Sequence, residues 1–503
     1  MAGSINMQLC KNKNSSTSFD GITKIYAITD THQETRKTCK FLSKILQDTK
    51  QDKNVLLLNC GDIFKGIYPK ELEKDSYIKM KEAKPDIEMV MTLGNNDFGF
   101  NKESLTFLID TVKDFAKKGI HTVCANIFDS TGKRPDWIRP YTIINRDGDK
   151  NLVTGFCIDN INTSKYGIIP KKQQEVLTEI TNAIKNEKPD NVIILNHDYM
   201  PSSQEIVNTC KADGINVDLV VGGHDHEFIQ PDKERKIFYP HAFGDTMYKM
   251  NIVNDGNIKQ LKDAELITND NIKLNPLFEK DIEKFEDESH LMEKIAPSTL
   301  NLTKEYSNPS PLGSFLADNM KSVAKSDIAF FSTGFLMKPL EYKPESYITN
   351  YNLKKAIIAE TPIKTVELNN SQIKEVFDHA LKSRGYGVSN PRFLQSSNNV
   401  KIIGEDNSKA KEFVIKQIYI NNKPILDSNA NPIKSNKKYK CAIDSYIADG
   451  GQGYTLLQQA PQKVVIKDGT DVKINEVLVK ALKEASVKYK AGESYPNFEI
   501  ISQ

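Results

Sequence analysis

Five short apolar runs in the first half of the chain each break off at a side chain able to hold a cation. Ile25 to Ile28 leads into Asp30-Thr31-His32, Val55 to Leu58 into Gly61-Asp62, and Met89 to Leu93 into Gly94-Asn95-Asn96-Asp97. Val192 to Leu195 leads into Asn196-His197, and the run from Asp218 to Val221 into Gly222-Gly223-His224-Asp225-His226. Apolar runs of this length, bounded by turn residues, read as buried parallel strands. In open α/β sheets ligands gather beyond the carboxyl ends of such strands. The pattern therefore expects Asp30, His32, Asp62, Asn95, His197, His224 and His226 to converge on one edge of one sheet.

Helical periods fill the intervals. Phe41, Leu42, Ile45 and Leu46 share a face, as do Leu105, Leu108, Ile109, Val112 and Phe115, and Val176, Leu177, Ile180, Ala183 and Ile184. Strand, helix, strand in repetition is the mark of a layered α/β domain with helices on both sides of a sheet. The helical stripes are expected to be core packing.

At 503 residues the chain exceeds one ordinary core, so two or three domains are expected. From about Leu261 to Lys304 charges dominate, through Glu279 to Glu288, which reads as a solvated helix joining two bodies. Beyond it come a helix signal at Leu312 to Ala324, β-like stretches at Asp327 to Phe331 and Phe413 to Ile420, and a glycine-rich turn at Gly450-Gly451-Gln452-Gly453. The polar segment Met1 to Asp20 lacks the apolar stretch of a secretory signal and reads as a disordered lead. A formal net charge of +2 gives no electrostatic support for nucleic-acid or membrane binding. No apolar run reaches the roughly 18 residues of a membrane span. Seven scattered cysteines without a CxxC pair read as reduced, buried thiols.

Seven donors exceed one four-coordinate site. They suit two divalent cations about 3.5–4 Å apart with a carboxylate between them. A single histidine after a strand is more often structural, and His121, His241, His290 and His379, which lack such company, are read that way. The weight lies in the joint pattern.

These motifs resemble, in order, those of the calcineurin-like metallophosphoesterases: Asp30-Thr31-His32, Gly61 to Gly66, Gly94 to Asp97, Asn196-His197 and Gly223 to His226. More narrowly they resemble the 5'-nucleotidase and UDP-sugar hydrolase branch. The stretches Pro311 to Asp318, Val366 to Leu368, Arg392 to Gln395 and Tyr446 to Tyr454 are similar to that branch's C-terminal nucleotide-binding domain. The resemblance implies an α/β fold: a four-layer metallophosphoesterase sandwich joined by a helical linker to an α/β nucleotidase-type C-terminal domain. In this chain that means a lead at 1–20, a metallophosphoesterase domain at 21–262, a linker at 263–304 and a substrate-binding domain at 305–503. It also implies that Asp30, His32, Asp62 and His226 hold one metal ion and Asp62, Asn95, His197 and His224 the other. Manganese, zinc, cobalt and magnesium all remain open. Phe393 and Tyr446 fall where the family clamps a nucleobase between two rings, with ordinary core packing as the alternative.

Three departures stand out. The family's third motif carries a histidine followed by an orienting aspartate; here those positions are Asn96 and Gly99. An asparagine donates a hydrogen bond but carries no proton, and loss of an acid–base group costs roughly 10²–10⁴-fold in rate. A phosphate-gripping arginine is replaced by Met337, with Lys338 beside it as a charge without the bidentate fork. The Gly-Gly-Asp-Gly turn has Gln452 in place of the carboxylate. The expectation is a two-metal hydrolase of nucleotide phosphate esters or pyrophosphates, with metal-bound hydroxide as nucleophile and Asn96 as hydrogen-bond donor, weakened or altered in specificity. The alternative is a catalytically impaired metal- and nucleotide-binding protein. A nucleotide or nucleotide-sugar is the expected partner, with no nucleic acid and no membrane. As written the chain reads as cytoplasmic; the resemblance implies export to the periplasm or beyond.

Overall fold

The computed structural model describes residues 21–502, except 100, 147–148, 160–165, 227–228, 255–258, 358–359, 383–391, 408–411 and 495–499. The expected disordered lead lies outside the described residues. The chain forms two compact units, Met1–Phe285 and Glu286–Gln503.

In the first unit the chain runs β1 (Gly21–Ile28), α1 (Thr35–Asp48), β2 (Val55–Asn59), α2 (Lys70–Ala83), β3 (Glu88–Met91), α3 (Lys102–Lys117) and β4 (Ile120–Thr122). It continues through β5 (Ile127–Asp129), β6 (Tyr141–Arg146), β7 (Asp149–Cys157), β8 (Ile168–Pro170), α4 (Gln173–Glu187), β9 (Asn191–His197), α5 (Met200–Ala212) and β10 (Leu219–Gly222). β11 (Ile237–Phe238), β12 (Thr246–Asn254), β13 (Lys259–Thr268) and α6 (Pro276–Glu288) follow.

The five donor-bearing runs are strands, as expected, but they belong to two sheets. One has the order β13-β12-β1-β2-β3-β4, with β1 to β4 parallel; the other is β11-β10-β9-β7-β6, with all but β6 parallel. The expectation of a single sheet edge is corrected accordingly. Alternation explains the arrangement, because successive strand residues point to opposite faces. Ile25 and Ala27 of β1, with Leu56 and Leu58 of β2, meet Val153, Ile193, Leu195, Leu219 and Val221 of the other sheet in one buried core. Tyr26, between them, points the other way and reaches Asp48 at the end of α1. On the far side of the second sheet, Ile194 and Val220 pack against Val176, Ile180 and Ile184 of α4 and Ile206 of α5. The result is four layers: helices, sheet, sheet, helices.

The helical stripes read from the sequence are the buried faces of α1, α3 and α4. Helix α3 starts at Asn101, whose side chain accepts from Ser104 N as an N-cap. β13 extends the larger sheet through Thr268, past residue 262. Helix α6 is less solvated than its charges suggest, because Phe278 and Ile282 are buried.

In the second unit a five-stranded sheet has the order Leu394–Ser396, Ile328–Ser332, Tyr439–Asp444, Ile363–Leu368, Gln462–Val464. One face packs with the helix Asn370–Leu381 and the strands Val400–Asn407 and Glu412–Ile420, and the other with helices Pro311–Ala324 and Ile474–Lys488. All six described cysteines are free and buried; Cys10 lies outside the described residues. No described helix is long and apolar enough to cross a membrane.

Candidate metal centre

The carboxyl ends of β1, β2 and β3 in one sheet and of β9 and β10 in the other open on the same side, and all seven expected donors meet there. Asp30, His32, Asp62 and His226 each offer an atom within 4.8 Å of the others. His32 Nε2 lies 2.8 Å from His226 Nε2, and His226 Nε2 is 3.2 Å from Asp30 Oδ1. The remaining donors continue from Asp62: His197 Nε2 is 3.4 Å from Asp62 Oδ2 and 3.3 Å from Asn95 Oδ1, which is 2.9 Å from His224 Nδ1.

Local structure aims these atoms. His197 Nδ1 is 2.7 Å from the Cys60 carbonyl and His32 Nδ1 is 3.2 Å from the Lys65 carbonyl. A carbonyl accepts only from N–H, so both rings carry a proton on Nδ1 and turn Nε2 inward, the orientation a metal ligand needs. Asp30 is held by Thr29 Oγ1 at 2.6 Å and by the His224 main-chain N–H. Five of the seven donors, Asp30, His32, Asp62, His224 and His226, have left-handed backbone, with φ between 46° and 88°. Two glycines allow the close approach of the loops. A Cβ on Gly94 would lie 2.1 Å from Asp62 Oδ1, and one on Gly223 would lie 2.3 Å from Thr29 Oγ1 and 2.8 Å from Asp30 Oδ2.

The electrostatics are those of a cation cage. Burial disfavours ionisation of Asp30 and Asp62, yet the facing imidazoles outweigh it and hold both carboxyls below the ordinary range. For His197 burial acts downward, but the Asp62 and Asp30 carboxylates push the ring up to about 10. His32 is pushed down by burial, and His224 to about 4 by burial and then by His197. The donor set fits divalent ions: the Nε2 atoms of His32 and His226 face each other beside two buried carboxylates, and imidazole with carboxylate suits zinc, manganese and cobalt.

Asn96, the expected catalytic residue, lies against Asp62. Its main-chain N–H donates to Oδ1 at 2.7 Å and its side-chain amide to Oδ2 at 2.5 Å. At Gly99, φ is +63° and a Cβ would lie 2.2 Å from Ser104 Cβ, so the backbone leaves no room for an aspartate there.

Sequence reasoning missed several residues that build the site. Asp97 is buried, and its carboxylate accepts from the main-chain N–H groups of Asp62, Ile63, Phe64 and Gly94. It sits in the quoted motif, but its partners lie on two loops that the sequence does not show as neighbours. Phe243 stacks on His32 at 5.0 Å between ring centres and meets His226 edge-on, while the exposed ring of Tyr199 meets His224 edge-on at 4.7 Å. Neither carries a motif signal.

The expected substrate residues of the second unit are less convergent. Phe393 is 1% exposed within the core, so the alternative of ordinary packing describes it, and it offers no ring face to a base in this conformation. Tyr446 is 45% exposed, and its ring neighbour is the half-buried Phe335, edge-on at 6.0 Å. Gln452 Oε1 accepts from Ser332 Oγ at 3.1 Å, and Lys338 is half-buried.

Residues 23–228 match the calcineurin-like phosphoesterase family, and residues 290–459 match the C-terminal domain of 5'-nucleotidases. A 5'-nucleotidase from Diplobatis ommata is 23% identical over 88% of this chain and 82% of its own length. An apyrase from Aedes albopictus is 21% identical over 83% of this chain and 79% of its own. Among solved structures, a 5'-nucleotidase precursor from Thermus thermophilus superposes with a TM-score of 0.67 at 16% identity, covering 96% of this chain and all of the other.

Proposed function

Since the chain belongs to the calcineurin-like phosphoesterases that carry a 5'-nucleotidase C-terminal domain, we propose that it is a two-metal hydrolase of nucleotide phosphate esters or pyrophosphates. The observation that carries the reading is the convergence of Asp30, His32, Asp62 and His226 within 4.8 Å, from loops of both sheets. These four would hold one divalent ion, and Asp62, Asn95, His197 and His224 a second. Such ions supply Lewis acidity toward phosphate oxygens and lower the pKa of water.

The chain's own residues define the rest. Cys60 and Lys65 carbonyls orient the rings of His197 and His32. Asn96 holds both oxygens of Asp62 and so orients the carboxylate shared by the two sets. It has no proton to transfer, which favours esters whose leaving group departs unprotonated, such as a pyrophosphate or an aryl ester. Tyr446, with Phe335 or a displaced Phe393, offers an aromatic surface to a nucleobase; stacking of this kind contributes about 1–3 kcal/mol per base.

The test is purified protein with Mn²⁺, Zn²⁺ or Co²⁺ against AMP, ATP, UDP-glucose, a cyclic nucleotide and bis-p-nitrophenyl phosphate. Hydrolysis that Asp62→Asn abolishes is the expected result. Asn96 also motivates a second reading, a metal- and nucleotide-binding protein without efficient turnover. No hydrolysis on the whole panel, with nucleotide affinity by calorimetry, would replace the first reading with that one.

A further inference from the structure

The loop that presents Asp62 also presents a lysine. Lys65 Nζ donates to Asn96 Oδ1 at 2.7 Å, while the Lys65 carbonyl faces His32 Nδ1. The loop is anchored on both sides of that residue. Asp97 accepts from the three residues before Lys65 that include Asp62, and Gln33 Oε1 accepts from Gly66 N. His32 N and Gln33 N donate to the carbonyls of Asp62 and Ile63. Lys65 is therefore an exposed, flexible cation on a rigid base, one hydrogen bond from Asn96 and two from Asp62 Oδ2.

The chemistry leaves a place for it. In hydrolysis of a phosphate ester a water oxygen bonds to phosphorus, the ester P–O bond breaks, and its electron pair leaves with the ester oxygen. Asn96 cannot give that oxygen a proton, and one of its two amide N–H groups is engaged by Asp62. We infer that Lys65 is the catalytic cation that stabilises the departing ester oxygen, moving its hydrogen bond from Asn96 Oδ1 to the substrate. This rests on the hydrolase reading above. Lys65 acts as a positive charge and hydrogen-bond donor without giving up its proton; the proton that finally neutralises the alcohol comes from the attacking water. An ammonium suits this because it is a point charge on a flexible stem.

The experiment compares the parent with Lys65→Met and Lys65→Arg on esters differing only in the leaving alcohol, p-nitrophenol, phenol or methanol, in the phosphate class that the parent hydrolyses. Lys65→Met should lower kcat about 10²-fold on the methyl ester and only a few-fold on the p-nitrophenyl ester, with KM little changed. Lys65→Arg should recover most of the loss. Bound manganese, by elemental analysis, and Tm should match the parent in both variants. Equal losses on all three esters, no loss, or loss of metal would overturn the assignment of Lys65 while leaving the hydrolase reading standing. A parent inactive on every ester would overturn both.

Discussion

Asp97→Asn is the substitution that most directly probes how the site is built. In the parent, Asp97 Oδ2 accepts from Asp62 N and Gly94 N, and Oδ1 from Ile63 N and Phe64 N. An asparagine keeps one acceptor oxygen and turns an NH₂ toward the other pair, so two buried N–H groups lose their partner. At about 1–3 kcal/mol each this costs about 2–6 kcal/mol. An opposing effect comes from charge. Burial, and then the Asp62 carboxylate, push the Asp97 carboxyl up to about 6. Holding it ionised at neutral pH therefore costs about 3 kcal/mol, two units at about 1.4 kcal/mol each, and the neutral amide removes that cost. The net change runs from a gain of about 1 kcal/mol to a loss of about 3 kcal/mol, so Tm falls by about 10 °C at most. The loop carrying Asp62 nevertheless loses one or two of its three hydrogen bonds to Asp97, and disturbing an outer partner of a metal ligand costs about 10–100-fold in affinity. Calorimetric titration of chelator-stripped protein with Mn²⁺ reads this directly, and scanning calorimetry reads Tm. A variant that binds Mn²⁺ as tightly as the parent would refute the view that Asp97 fixes the site.

In the second unit, burial pushes the Asp444 carboxyl up to about 6 although Ile447 N and Ser332 N donate to it. A raised carboxyl contributes stability that is present in acid and lost as pH rises from about 4 to about 6, here about 3 kcal/mol. Asp444→Asn should flatten that part of the stability profile measured by urea unfolding; an unchanged slope would show that the group does not titrate there. At position 99, Gly99→Asp introduces a Cβ that overlaps Ser104 at the start of α3. Asn96→His with Gly99→Asp should thus melt lower than Asn96→His alone and should not restore phosphomonoesterase activity; equal Tm values would show that α3 yields easily.

The seven converging donors were legible in the sequence because each closes a short apolar run and each motif is local. The two-sheet arrangement came only with the family resemblance, which implied four layers; the local pattern placed all the donors on one sheet, because buried parallel strands read alike whichever sheet they join. Asp97 and Lys65 lay inside quoted motifs, yet their partners became visible only once the loops after β2 and β3 were adjacent. Phe393 shows the opposite failure. Its place in a motif suggested a base-stacking ring with core packing as the alternative, and it lies in the buried core, which no local pattern records. Likewise Phe335, beside Tyr446, lies in a stretch read only for its missing arginine.

The left-handed backbone at Asp30, His32, Asp62, His224 and His226 sets local stability against the donor atoms these residues supply. Each non-glycine residue in that conformation is strained by about 1–3 kcal/mol, and glycine would relieve most of it. A glycine exchange at any one of the five would ease the backbone while removing one donor atom from the cluster. Backbone ease and donor chemistry therefore pull in opposite directions at all five positions, and the chain carries the donor at each.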